Sequence, residues 1–185
     1  MITQIDFKII EFLQTHATPV LDVFFAAITH LGDGGIFWII LAVTLICFKK
    51  TRRCGVMMGA ALICGLIIGN GALKNLIARD RPFIQDPVLQ NYLLISPPSG
   101  FSCPSGHTLA SFECATVIFM NNKKWGAAAL VLAALIGFSR IYLCVHFPSD
   151  VLFGLVLGIA IGICVYFAYK KFIKGKNIEK KLRVE

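Results

Sequence analysis

Six long apolar runs, each patterned for helix rather than strand, fill this chain between residues 18 and 169. They fall near 18–31, 34–48, 54–77, 105–120, 125–141 and 150–169. Runs of this length and purity predict an all-α fold, a six-transmembrane helix bundle. The first, second and fourth have apolar cores below the roughly 20 residues that cross a bilayer unaided, so they need tilt, polar flanks or neighbouring helices. Ahead of them Ile2, Ile5, Ile9, Phe12 and Leu13 recur at helical spacing, opposite Gln4, Lys8, Glu11 and Gln14. That pattern predicts an amphipathic helix over residues 1–16 lying on the membrane surface. It has neither the basic start nor the continuous apolar stretch of a cleavable signal. A basic tail covers 170–185, and without repeats or composition breaks the chain reads as one domain, 1–185.

Composition agrees: 57% of residues are apolar, 15% are charged, and mean hydropathy is +0.75, outside the range of soluble domains. The net charge of +8 raises nucleic acid as a partner. Its distribution argues against that, because the basic residues bunch at Lys49–Arg53, at Lys123-Lys124 and in the tail, where they cap apolar segments. With the N-terminus placed inside, both basic turns and both termini are cytoplasmic. Of the 18 Lys and Arg residues, that leaves Lys74, Arg79, Arg81 and Arg140 outside. The expected location is the cell (plasma or inner) membrane, multi-pass, with any site on the extracytoplasmic face. Membrane lipids are the expected surroundings, and no obligate protein partner is evident.

Three polar clusters gather at that outer face: Lys74-x6-Arg81-Pro82, Pro104-Ser105-Gly106-His107, and Ser139-Arg140-x5-His146-x3-Asp150. Lys74, Arg81 and Arg140 form a positive field suited to the equatorial oxygens of a phosphoryl group in transit. Taken singly, each is equally readable as a snorkelling residue at a helix end. Ser105 and Gly106 begin a helix, with N–H groups free to meet an anion; the plainer role is an N-cap. His107 follows one residue later, placed to give a proton to a departing oxygen. Asp150, four residues after His146, can accept one ring N–H of His146, fix its tautomer, and leave the other nitrogen free. A His–Asp pair that merely caps a helix is the alternative. No H-E-x-x-H, Cys-x-x-Cys or carboxylate cluster marks a metal site, so neither metal nor cofactor is expected.

These three clusters, in this order on a six-span layout, resemble the type 2 phosphatidic acid phosphatase (PAP2) superfamily. The layout matches over about 18–170, and the motifs lie between 74 and 150. The resemblance implies a metal-independent lipid phosphatase. It makes His146 the nucleophile forming a phosphohistidine, His107 the general acid, and Asp150 the residue that orients His146. Lys74, Arg81, Ser105, Gly106, Ser139 and Arg140 would bind phosphate, although Ser139 sits where its hydroxyl can bond its own helix. Undecaprenyl diphosphate is the first substrate by analogy, followed by phosphatidylglycerophosphate or phosphatidic acid; a lipid-binding or transport protein is the rival class.

Arg79 matches no motif position and reads as a surface or headgroup contact. His30 and Asp33 read as turn chemistry beside Gly32, Gly34 and Gly35. Glu113 and Asn70 lie at membrane depth and need partners; for Glu113, a protonated acid bonded to another helix is the favoured reading. The apolar run Tyr92–Ile95 is expected to dip into the membrane surface. Cys103 and Cys144 flank the motifs on the face where a disulfide is possible.

Overall fold

A computed structural model describes residues 2–182, with side chains through residue 173. The described residues contain helices and no strand. Helix α1 (Ile2–Thr15) is followed by α2 (Pro19–His30), a short 3-10 turn (Asp33–Gly35) and α3 (Ile36–Cys47). Helix α4 (Arg52–Gly65) continues through a π-helical stretch (Leu66–Leu73) into α5 (Lys74–Ile77). A loop with two short helices, α6 (Pro82–Gln85) and a 3-10 turn (Pro87–Tyr92), leads to α7 (Gly106–Asn121), α8 (Lys123–Tyr142) and α9 (Pro148–Leu182).

Local chemistry sets the boundaries. The Thr18 hydroxyl accepts from the Leu21 N–H, with Pro19 next in the first turn. Asn122 caps α8 by accepting from the Trp125 N–H at 3.1 Å. Ala78 takes a left-handed conformation, φ 46°, which stops α5 and turns Arg79–Arg81 back over the bundle.

Helix α7 is the axis of the bundle. From Leu109 to Ile118 every residue except Ala110 is buried, wrapped by α4, α8 and α9. The contact with α9 runs through Gly154, Gly158 and Gly162, spaced four apart. A Cβ on these glycines would fall 2.9, 2.8 and 2.8 Å from the carbonyl oxygens of Ser105, Leu109 and Glu113. Backbone therefore lies against backbone, as small residues at this spacing allow in membrane bundles. The same seam brings the first turns of the two helices together, where the Ser105 N–H donates to the Asp150 carbonyl at 3.2 Å.

The structure gives four candidate spans where six were expected. Helices α2 and α3, at 12 residues each, reach about 18 Å apiece, short of a roughly 30 Å hydrocarbon core. They do not fold back on one another: α2 packs on α8, whereas α3 packs on α4. Together they form one apolar run, Pro19–Cys47, bent at the glycine turn. Among the described residues four runs are long and apolar enough to cross a membrane: Pro19–Cys47, Arg52–Gln85, Lys123–Tyr142 and Pro148–Ile173. The shorter α7 lies between the second and third of these runs in the chain.

Helix α1 lies at the end where α9 begins: the Asp6 carboxylate accepts from the Ser149 N–H at 3.0 Å and from its hydroxyl at 2.5 Å. Basic Lys49–Arg53 and Lys123-Lys124 stand at the opposite end, toward which α9 runs. Helix α1 presents Asp6 and Ile10 inward and leaves Ile2, Ile5, Ile9 and Phe12 exposed.

In the loop after α6, Leu93 and Ile95 pack with Phe83 and Leu89 on the same cluster as Ile10, Phe25 and Phe147, whereas Tyr92 and Leu94 stay exposed. All seven cysteines are free thiols, including buried Cys103 and Cys144.

The glycine seam gives a direct expectation. Gly158→Val has no room against α7, and overpacking of this kind costs about 1–3 kcal/mol or more. Its thermal unfolding midpoint in detergent is expected about 5 °C or more below wild type. Gly59, whose Cβ would meet nothing within 4 Å, accepts Ala with an unchanged or higher midpoint.

Candidate active site

The bend after α8 delivers the histidine of the third cluster. Cys144, with φ 56°, reverses the chain, and the Val145 and His146 N–H groups both donate to the Arg140 carbonyl at 3.2 and 3.1 Å. His146 is thereby turned into the bundle, 2% exposed. Its Nδ1 stands 3.7 Å from Asp150 Oδ2, beyond hydrogen-bond reach, and has no other partner. Its Nε2 points the other way, 3.3 Å from an Arg81 guanidinium nitrogen, into the cavity. Burial first, and the charges of Arg81 and Arg140 with it, push the imidazole down to about 3 against the opposing pull of Asp150. The shift favours the neutral ring.

Asp150 is held by more than histidine. Its Oδ2 accepts from the Phe147 N–H at 2.9 Å, and its Oδ1 accepts from Arg79 at 2.6 Å. Arg79 in turn donates to Asp6 at 2.8 Å and to the Ser149 hydroxyl at 2.7 Å, and its guanidinium lies 3.9 Å over the Phe147 ring. Arg79 is therefore no surface contact. It links α1 to the aspartate that faces His146, and Asp6 completes the link. The helical pattern of α1 hid this, because Asp6 read as one more polar position on an amphipathic helix.

The candidate catalytic and phosphate-binding residues divide into two groups. Lys74, Arg81, Arg140, Gly106, His107 and His146 all line one cavity of about 720 Å³. Arg140 is 2% exposed; it donates to the Thr29 hydroxyl and keeps its Nε without a partner, a free donor in the cavity wall. Arg81 is more structural than expected. It donates to the carbonyls of Ser99, Gly100 and Val145 at 3.1, 2.8 and 2.9 Å, clamping the loop to the bend beneath His146. Ser105, Ser139 and Asp150 lie behind the wall. The Ser105 oxygen accepts from the Thr108 hydroxyl at 2.9 Å and from its N–H at 3.5 Å. The Ser139 hydroxyl donates to the Ile136 carbonyl at 2.7 Å, the back-bonding alternative, so in this arrangement it makes no contact with the cavity.

His30 and Asp33 belong here too. Asp33 Oδ1 lies 2.9 Å from His107 Nε2, and Oδ2 lies 2.7 Å from His30 Nδ1. Sequence gave only a glycine-flanked turn; its distance of 74 residues from His107 concealed the contact.

Inward from the cations the cavity turns apolar. It passes Leu62, Leu66 and Ala110 and opens between α3 and α4 at Ile39, Val43 and Ile63, all exposed on the bundle surface. Glu113 lines it and is 1% exposed, with Oε2 unpartnered. The expected bond to another helix is absent; its carboxyl instead packs on Gly65, where any Cβ would collide with it. Among the described residues no group of three or more His, Cys, Asp or Glu could hold a metal ion.

The PAP2 superfamily matches residues 50–174, which contain every residue of the three clusters. The chain belongs to that superfamily. It is 34% identical over 122 residues to an undecaprenyl-diphosphatase of Sulfolobus acidocaldarius, covering 65% of this chain but 58% of that protein's length. It is 31% identical over 168 residues to undecaprenyl-diphosphatase BcrC of Bacillus subtilis, covering 91% of this chain and 84% of the relative. The crystal structure of Aquifex aeolicus LpxE superposes with a TM-score of 0.71 at 32% identity, over 86% of this chain and 93% of that one.

A pH dependence follows from His146. Its folded-state proton affinity lies below the ordinary histidine value, so between about pH 6.5 and pH 3 the unfolded chain binds the extra proton. Stability from this residue is thus full above that window and falls as pH drops through it. Thermal unfolding in detergent from pH 7 to pH 4 is expected to show a shallower decline for His146→Gln, by up to about 1.4 kcal/mol per pH unit. An unchanged slope would mean that His146 is solvated.

Proposed function

We propose that this chain is a PAP2-type lipid phosphatase that converts undecaprenyl diphosphate to undecaprenyl phosphate through a phosphohistidine, without a metal. The observation that carries the reading is a single cavity. It is lined by His146 and His107 beside Lys74, Arg81 and Arg140, and continues along apolar residues of α3 and α4. A pure binding or transport protein has no use for two such imidazoles, and no paired repeat supports transport.

The chemistry follows from the placement. The terminal phosphate enters against Lys74, the free Nε of Arg140 and the N-terminal turn of α7 at Gly106, with the lipid chain leaving between α3 and α4. It displaces Arg81 from His146 Nε2, which attacks phosphorus in line. The bond to the bridging oxygen breaks, and the His107 proton goes to the departing lipid phosphate. Water then attacks the phosphohistidine, its proton passes to His107, and the P–N bond opens to release inorganic phosphate. The three cations supply the charge stabilisation that many phosphoryl-transfer enzymes take from metal ions.

Sidedness follows from charge. The basic turns stand at the end away from the site, and the positive-inside rule puts that end in the cytoplasm. The site then faces the extracytoplasmic leaflet of the cell membrane, and α1 lies beside it with Ile2, Ile5, Ile9 and Phe12 in the lipid surface.

Purified protein in EDTA is expected to release phosphate from undecaprenyl diphosphate faster than from phosphatidylglycerophosphate or phosphatidic acid. Vanadate is expected to inhibit as a mimic of five-coordinate phosphorus. His146→Ala is expected to lower turnover by about 10³-fold or more. Retention of a tenth of the wild-type rate would remove His146 as nucleophile, and a metal requirement would contradict the mechanism. Equal rates on all three lipids would keep the chemistry and widen the substrate class.

A further inference from the structure

The turn between α2 and α3 is shaped around one contact. Gly34 and Gly35 both take positive φ, 57° and 68°, a conformation that side chains resist. Gly32 lies so close to the His107 ring that a Cβ there would collide with it. What this turn delivers is the Asp33 carboxylate, bridged between His107 Nε2 at 2.9 Å and His30 Nδ1 at 2.7 Å. His107 is 19% exposed at its side chain and Asp33 51%, so the pair sits at the cavity mouth. Around His107 the other charges are Arg140 from α8 and Lys74 from α5, both positive. Burial first, and these two charges with it, lower the ring to about 4, and Asp33 is the carboxylate that opposes them. Asp150 stands to His146 in the same relation, but at 3.7 Å and wholly buried.

We propose that Asp33, with His30 on its second oxygen, is a positioning residue for His107. It holds Nε2–H against the carboxylate, fixes the ring at the cavity mouth, and favours the protonated imidazole that donates from its other nitrogen. The proposal rests on the phosphatase reading. In the first half-reaction the P–O bond breaks and that proton goes to the leaving oxygen. In the second, the attacking water returns one to the same nitrogen as the P–N bond breaks.

The leaving group makes the role measurable. A diphosphate expels a phosphate monoester whose second pKa is about 6, so it departs with little help. A monoester expels an alkoxide roughly as basic as hydroxide, and depends steeply on the general acid. Asp33→Asn is expected to lower kcat on phosphatidic acid about 30-fold or more. On undecaprenyl diphosphate the loss is expected to stay below about fivefold, and KM on both within about threefold. His107→Ala is expected to show the same selectivity, and adding Asp33→Asn to it to change either rate by less than about twofold.

Equal losses on the two lipids, or full additivity in the double variant, would overturn the proposal by making Asp33 a structural residue acting apart from His107. Where the wild type accepts only the diphosphate, additivity on that substrate decides. Thermal unfolding in detergent monitors folding, and Asp33→Ser carries the same expectations if the Asn variant does not fold. Wild-type protein that hydrolyses neither lipid would refute the phosphatase reading, and the role of Asp33 with it.

Discussion

The close approach of α9 to α7 along Gly154, Gly158 and Gly162 is the constraint on which the rest depends. Because backbone touches backbone there, the start of α7 and the start of α9 are fixed relative to each other, and Ser105 N–H meets the Asp150 carbonyl. One helix start carries Gly106 and His107; just before the other lies His146. The two imidazoles and the aspartate owe their relation to a packing contact made by residues with no side chain. Every polar element of the site is then hung on that frame: Arg81 clamps the loop to the bend beside His146, and Arg79 fastens α1 to Asp150.

The chemistry was more legible in the sequence than the architecture. Charged residues are costly in an oily chain, so Lys74, Arg81, Arg140, His107, His146 and Asp150 stood out against their background. The cavity collects five of these six, with Asp150 just behind its wall. The helix boundaries near 54–77, 105–120 and 125–141 were also readable, since a cap such as Ser105 acts locally. Pass number was not. The break at Asp33–Gly35 looks in sequence like a turn between two short spans, whereas α2 and α3 fall within one candidate span, Pro19–Cys47, with α2 packed on α8 and α3 on α4.

Partnership across long sequence distance was equally hidden. Asp6 with Arg79, and Asp33 with His107, are separated by 73 and 74 residues. Each carboxylate sits in a segment with an adequate local explanation, an amphipathic helix in one case and a glycine turn in the other. Ser139 failed in the opposite direction: its place in a motif suggested a phosphate contact, yet its hydroxyl meets the Ile136 carbonyl one turn back. Local bonding was the stronger option once the side chain was buried.

The account turns on His146 Nε2 as the atom that takes the phosphoryl group. Rapid quenching of protein mixed with undecaprenyl diphosphate labelled at the terminal phosphate tests this most directly. The prediction is a transient protein-bound label that is stable to alkali, lost in acid, mapped to the peptide containing His146, and absent from His146→Ala. Steady phosphate release by wild type with no trapped label on that peptide at any quench time, or an acid-stable label elsewhere, would contradict it.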